Sequence, residues 1–401
     1  MAKVTAEAVV IGGGPAGLTA GIALASAGIE TALVAKPPPG PDRRTTALLA
    51  STVVALDTLG VWARCRDHAA PLRILRIVDD TARLLRAPEV AFRASEIGLD
   101  AFCHNIENEF LVAALRARSN ELSALIKIED AAEALTLEDE SVAVRCKRGD
   151  IVMAPLAIAA DGRQSRCRAA AGIDTTGHDC GQTALTLNVG HRRPHNDTST
   201  EFHTEAGPFT LVPLPGRRSS LVFVVARDDA PRLAALPDPV MAAEIERRSH
   251  SILGEIAVEP GRGVFPLEVV TATRLAARRV ALVGEAAHVL PPIGAQGLNL
   301  GLRDAATIGE LVVAAHREGR DIGESELTGR YDLMRRADVT GRTLAVDWLN
   351  RSLLSDFLPL QGVRGLGLFL MERIGPLRRA AMREGVMPIA SQPRLMRGEA
   401  L

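Results

Sequence analysis

The chain has 401 residues, with 47 Lys plus Arg against 48 Asp plus Glu, a formal charge of -1 and five cysteines. Balanced charge excludes a nucleic-acid partner, because such binders concentrate basic residues, and cysteines with no C-x-x-C spacing exclude a zinc or disulfide framework. The length admits two domains with a sizeable core.

No apolar run reaches the roughly 18 residues that a membrane span needs. Met1–Gly14 passes directly into a strand and leaves no room for a signal peptide. The expectation is a soluble, cytoplasmic protein whose contact with a membrane would be peripheral, at the inner face.

Ala8 to Ile11 reads as a buried strand, followed by Gly12-Gly13-Gly14-Pro15-Ala16-Gly17 and a helix with Leu18, Ile22, Leu24 and Ala25 on one face. A second strand, Thr31 to Val34, completes a β-α-β unit. In the G-x-G-x-x-G pattern Gly12 makes the tight turn, Gly14 lets a pyrophosphate approach, and Gly17 permits close helix packing. Pro15 and Ala16 open the helix at the same site. An acidic residue is expected after the second strand to hold ribose hydroxyls, yet Ala35 stands there. The ribose is then held by backbone and water, or the dinucleotide is bound more weakly. Lys36 either reaches a phosphate or is simply solvated.

Pro37 to Pro41 forms a stiff loop. The spacing of Leu48, Val53, Leu56 and Leu59 predicts a helix with Arg43 and Arg44 at its start, where two cations oppose the dipole and a bound anion would make sense of one. Leu75 and Ile77, then Val90 and Phe92, alternate as edge strands of a second sheet. A helix runs from Glu109 to Arg118, with Asn108 either an ordinary cap or a ligand contact. Strands are predicted over 124–128, 132–137, 142–146 and 151–159. Asp161-Gly162 makes a turn, and Ser165 and Arg168 start a helix.

From Gln182 to Val225 the pattern is β, with strands over 183–189, 209–212 and 221–225. Residues 231–255 read as helical and 261–273 as a returning strand. Val280 to Val283 is a buried strand ended by Gly284. Pro291 and Pro292 stiffen the next loop, Gly294 and Gly297 keep it bare, and a helix begins near Leu298. Tyr331 to Pro388 is mostly helical. Its stretch 362–385 mixes Val363, Leu366, Phe369, Ile374, Leu377 and Met382 with Arg364, Arg373, Arg378, Arg379 and Arg383. Such a tail lies on an anionic membrane or partner helices, or packs on the protein's own core.

GEAAH followed by PPIGAQGLNLGLRD resembles the second flavin-binding motif of the class A FAD-dependent aromatic monooxygenases, nearest their ubiquinone-biosynthesis hydroxylase (UbiH-type) branch. DGRQSRCR, with Asp161, resembles the same family's D-G-x-x-S-x-x-R motif, and EFHTEAGPFTLVPLP resembles the branch's substrate-sheet strand pair. The resemblance covers essentially the whole chain. It implies an α/β fold, with a Rossmann-type FAD-binding domain, an inserted mixed or antiparallel β-sheet substrate domain and a C-terminal helical segment. The implied divisions are 1–70, 99–178 and 273–340 for the FAD domain, 71–98 and 179–272 for the substrate sheet, and 341–401 for the C-terminal helices.

The resemblance also implies roles. Glu285, where the family has Asp, would hold the ribityl chain, and the backbone of Gln296, Gly297, Leu298 and Asn299 would face the pyrimidine edge of the flavin. Arg44 would lie along the flavin and Asn108 at its middle. Asp161 and its loop would meet both FAD and the nicotinamide donor, and Pro291, Pro292 and Gly294 would shape the oxygen-side wall. The implied reaction has NADH or NADPH reduce FAD, O2 form a C4a-hydroperoxyflavin, and one oxygen pass to the ring of a polyprenylated phenol in ubiquinone biosynthesis. A ubiquinone-synthesis complex or a membrane surface would meet the C-terminal helices. No side chain stands out as an acid–base catalyst, His203 and His288 read as structural, and no metal site is expected. The competing readings are a flavin reductase on the same fold and a non-catalytic subunit of a ubiquinone-synthesis assembly.

Overall fold

Ala8–Ile11 is apolar at every position because both of its faces are covered, the pattern of a parallel strand inside an α/β layer. A computed structural model describes residues 2–37, 40, 42–82, 86–292, 294–354, 374–386 and 392–401, with backbone alone for 345–354. Among them, Ala8–Ile11 is central in a six-stranded sheet ordered Ala276–Ala277, Val280–Leu282, Leu156–Ala159, Ala8–Ile11, Thr31–Val34 and Leu125–Ile128. All of its pairings are parallel except that of the short first strand. The helices in chain order are α1 (Pro15–Ser26), α2 (Ala50–Thr58), α3 (Asn108–Asn120), α4 (Arg166–Ala170), α5 (Ala230–Ala234), α6 (Asp238–Arg248), α7 (Gln296–Arg317), α8 (Ser325–Leu354) and α9 (Gly375–Val386). α1 packs against α3 and α7.

Two sequence expectations change here. The strand expected over 151–159 is two strands in different sheets, Ile151–Ala154 and Leu156–Ala159. Pro155 between them has no N–H to continue a ladder, so the chain steps from one sheet to the next. Arg43 and Arg44 do not start a helix. They precede a strand, Thr45–Leu49, which pairs with Cys103–Glu107, and α2 begins only at Ala50. The β-branched Thr45 and Thr46 favour that strand, and a partner distant in sequence fixes it.

The largest sheet has nine strands, including Gly263–Ala272, Thr175–His191, Arg218–Ala226, Gly207–Leu214, Thr198–Thr204, Ile74–Asp79 and Val90–Arg93 in spatial order. Thr198–Thr204 and Ile74–Asp79 run parallel, whereas the neighbouring pairs are antiparallel. Strand alternation gives this sheet two characters. Leu185, Leu187, Phe209, Leu211, Leu221 and Phe223 pack on one face against Leu233, Met241 and Ile245 from α5 and α6. Thr186, Asn188, Thr210, Val212, Ser220 and Val222 line a cavity on the other.

The part of the C-terminal amphipathic stretch that contains Arg364 and Phe369 lies outside the described residues. α9 packs Met382 and Val386 into a cluster with Leu49, Leu72, Phe92 and Phe102. Beyond it Leu395 and Met396 are buried in the main core, and Arg394–Arg397 forms a 3-10 turn against α2 and α7.

A buried charge cluster ties α7 and α8 to the loop after Val280–Leu282. Asp304, 0% exposed, accepts from Gly284 N at 3.0 Å and Arg335 Nε at 2.7 Å, and pairs with His288 Nε2 at 2.7 Å. Arg335 also donates to Asp338 Oδ2 at 2.6 Å, as does Arg303 at 3.0 Å. Burial pushes the Asp304 carboxyl up, but Arg335 and His288 outweigh it and hold it below the usual carboxylate range. Asp338 is likewise held low by Arg335, Arg303 and Arg342 against its burial.

Depressed carboxyl pKa values stabilise the fold fully above the unfolded value of about 4, and that contribution is lost as pH falls through the lower folded values. Asp304→Asn leaves Arg335 short of a charged partner and should cost about 3–5 kcal/mol in urea unfolding at neutral pH. The same variant should show a shallower loss of stability than the wild type on acidification below about pH 4.

Candidate cofactor and substrate site

Two helices end on the cavity without side-chain caps. At α1 the N-cap is Gly14, extended at φ -75 and ψ 173, with no capping side chain, no acidic residue in the first turn and Pro15 just inside. At α7 the N-cap is Ala295 in the left-handed region, φ 55, again uncapped and without a first-turn acid. Helix starts ordinarily satisfy their free N–H groups with Ser, Thr, Asp or Asn. Here those groups, with their partial positive charge, open onto the cavity.

Glycines make the approach possible. A Cβ on Gly12, at φ +121, would stand 2.1 Å from Ala160 O, and one on Gly17 would stand 2.1 Å from Gly12 O. Those two serve the packing of α1 on the sheet. At Gly14 and Gly297 no atom lies within 4 Å of a Cβ position, so the backbone is bare and the space beside it is free. An elongated group carrying a diphosphate and an electron-poor ring fits that cradle.

The cavity measures about 850 Å³. Of the residues singled out by sequence, Gly14, Pro15, Ala16 and Gly17 line it from the first loop, and Pro292, Gly294, Gly297 and Leu298 from the last. Arg44, Asn108 and Glu285 line it as well. Arg44 pairs with Asp42 at 2.6 Å, and its guanidinium lies over the Phe265 ring. Asn108 accepts from Thr46 Oγ1 at 2.8 Å and donates to Asp42 at 3.1 Å.

Gly12, Ala35, Lys36, Asp161, Pro291 and Asn299 are not among the lining residues. The Asp161 carboxylate is engaged at the start of α4, accepting from Ser165 Oγ at 2.6 Å and Arg166 N at 2.8 Å, while Gly162 and Arg163 reach the cavity in its place. Asn299 stitches α7 to the strand Thr45–Leu49, accepting from Leu49 N at 2.9 Å and donating to Ala47 O at 2.8 Å.

Arg163, Glu201, Asn188, Glu107 and Arg218 are not singled out by sequence, whereas His288 and His203 read there as structural. Arg163 sits on the wall between Glu268 at 3.2 Å and Glu285 at 3.4 Å. His288 lines the cavity and keeps Nδ1 buried without a hydrogen-bond partner while Nε2 is held by Asp304. Beneath the sheet, Asn188 donates to Glu107 at 3.0 Å, and Arg218 bridges Glu107 and Glu259. Glu201 faces the cavity with His203 beside it at 2.7 Å. The i, i+2 spacing of Ser199, Glu201 and His203 is the signal that placed them on one face.

At its other end the cavity is apolar. Leu49, Leu72, Leu75, Phe92 and Phe102 are joined there by Met382 of α9. α9 is anchored by Arg378, which pairs with Glu96 at 2.6 Å and stacks over Phe92. Cys103 lines this region, but burial pushes its thiol up to about 12, so it stays protonated and unreactive.

Near Gly13 and Ala35 lies the Arg116 guanidinium. Arg116 Nη2 lies 3.6 Å from the position of a Cβ on Gly13, and Ala35 Cβ lies 2.8 Å from it. The Arg116 Nε is buried with no hydrogen-bond partner.

The profile of the FAD binding domain family matches residues 5–341. The chain is 36% identical over 406 residues to ubiquinone hydroxylase UbiL of Rhodospirillum rubrum, covering 99% of this chain and 94% of that one. It is 30% identical over 390 residues to 3-demethoxyubiquinol 3-hydroxylase of Escherichia coli, covering 94% and 97%. The fold is shared with p-nitrophenol 4-monooxygenase PnpA of Pseudomonas putida, at a TM-score of 0.80 and 18% identity over 96% of this chain and 98% of that one. For the adenosine end, Ala35→Glu restores a carboxylate for the ribose hydroxyls and should lower the FAD dissociation constant about tenfold, the worth of one charged hydrogen bond. Quenching of flavin fluorescence on binding measures it.

Proposed function

We propose, from the premise that the chain belongs to the FAD binding domain family in its ubiquinone-hydroxylase branch, that it hydroxylates the ring of a polyprenylated phenol in ubiquinone biosynthesis. FAD is the bound cofactor, NADH or NADPH the reductant and O2 the oxidant. The observation that carries the reading is one cavity of about 850 Å³ shared by two bare helix ends and the polar face of a sheet. Its size suits a small-molecule site.

When bound, FAD supplies the redox and oxygen chemistry that the side chains lack. The chain's own groups bind, orient and exclude water. The α1 N-terminus and Gly14 take the diphosphate. The N–H groups at the start of α7, with Gly297 and Leu298, would face the pyrimidine edge and could stabilise negative charge there. Asn108 and Arg44 would flank the middle of the cofactor, with Glu285 and Arg163 at the exposed side where a nicotinamide would approach. The sheet roofs the ring and keeps water from it.

The apolar arm from Leu49 to Met382 takes the prenyl chain, each buried CH2 contributing about 0.8 kcal/mol. Ile374, just before α9, and Leu377 within it are 43% and 47% exposed, near Arg379 and Arg383. That mixture supports peripheral contact with an anionic membrane, where a prenylated ring is found. Among the described residues no helix is long and apolar enough to cross one.

Purified protein incubated with FAD is expected to be yellow. Supplied with NADH or NADPH and isotopically labelled O2, it should place one labelled oxygen on a phenol carrying a short prenyl chain, as read by mass spectrometry. Colourless protein overturns the reading in favour of a non-catalytic subunit, and reduction of a prenyl double bond without O2 overturns it in favour of a reductase.

A further inference from the structure

Glu201 is an acid set into the wall of the cavity. It lies on the strand Thr198–Thr204, one position along from Phe202, which points to the opposite face and is buried against Phe209. Its neighbours across the sheet are Thr210 on one side and Ile77 on the other. The side chain is 18% exposed.

Its partners leave it incompletely used. Oε1 pairs with His203 Nε2 at 2.7 Å, and Oε2 accepts from Thr210 Oγ1 at a long 3.5 Å. A carboxylate has about four lone-pair directions, so acceptor capacity remains on the side that faces the cavity. The other lining residues of the sheet around it are neutral: Ser199, Thr210, Val212, Ser220 and Val222. The lining arginines lie elsewhere and are engaged, Arg44 with Asp42, Arg163 with Glu268 and Glu285, and Arg43 with Pro260 O.

We propose that Glu201 determines substrate class at the ring site, accepting a hydrogen bond from the ring hydroxyl and rejecting rings that carry a carboxylate. The proposal rests on the ring-hydroxylase reading above. A hydroxyl donor satisfies the open acceptor, whereas a second anion would meet Glu201 in a partly dry cavity where Arg44 and Arg163 are already paired with acids and Arg43 is turned to Pro260 O. His203 and Thr210 hold the carboxylate in place, and so set which edge of the ring faces the cofactor.

The test uses the FAD-loaded full chain and two probes, a neutral phenol with a short prenyl chain and the same ring bearing a carboxylate. Binding is read from the shift in the visible spectrum of the flavin. The wild type should bind the neutral phenol at least about tenfold more tightly than the carboxylate. Glu201→Gln should weaken the phenol about tenfold, the scale of one charged hydrogen bond, strengthen the carboxylate, and raise hydrogen peroxide released per reductant consumed. FAD affinity should stay unchanged. Thr210→Val, a milder change on the same carboxylate, should weaken the phenol in the same direction by about two- to threefold.

Equal binding of both probes by the wild type, or a Glu201→Gln protein with unaltered preference, overturns the selector role and leaves ring hydroxylation standing. If neither probe perturbs the wild-type flavin, the ring-hydroxylase reading itself falls, and the role of Glu201 with it.

Discussion

Asp304 is a charge with no route to water, and the site depends on how it is neutralised. Arg335 arrives from α8, His288 and the Gly284 N–H from the loop after the strand Val280–Leu282, and Asp304 itself belongs to α7. Removing any one partner would strand a buried charge or dipole, so these elements hold a fixed relation. That relation sets where the α7 N-terminus points. Rigidity supplied from behind lets the cavity-facing loop remain bare, with Gly294 and Gly297 in place of bulkier anchors. Tyr331 adds to the same clamp by donating to Leu282 O at 2.7 Å, its hydroxyl held protonated by burial and the nearby Asp304.

The large sheet solves a separate problem by alternation. One face supplies Phe209, Leu211, Leu221 and Phe223 to a dry core with α5 and α6, and the other presents Thr, Ser, Asn and Glu side chains to the cavity. Substitutions on the cavity face can therefore change what the site accepts while leaving that core intact. The glycine-rich loops are less free, since at Gly12 and Gly17 even a methyl group would collide with backbone.

The features legible from sequence were local ones. The β-α-β unit at the start of the chain carries its own signal in apolar runs and glycine spacing, and its strands fall at Ala8–Ile11 and Thr31–Val34 as expected. Helix α7 begins at Gln296, close to the expected Leu298. What misled was pairing at a distance. Leu48 fits a helical face with Val53 and Leu56, yet Cys103–Glu107 claims it for a strand. Asp161 and Asn299 sit in motifs that resemble flavin contacts, and their side chains brace those loops, Asp161 against α4 and Asn299 against the strand Thr45–Leu49. The alternation of Ser199, Glu201 and His203 puts Glu201 on one face of its strand, but only the sheet packing says that this face meets the cavity.

The parallel pairing of Thr198–Thr204 with Ile74–Asp79 has a consequence for biogenesis. The hairpin formed by Ile74–Asp79 and Val90–Arg93 leaves the ribosome long before its neighbour exists. Until then it offers an open edge with unpaired amides, in a chain whose other early segments are still gathering. The roof of the cavity therefore pairs across a long stretch of chain, as does the six-stranded sheet, whose strand Leu156–Ala159 waits for Val280–Leu282. A nascent chain stalled before Thr198 would hold its dinucleotide fingerprint yet lack the strands that roof the cavity, with the edges of both sheets still unpaired.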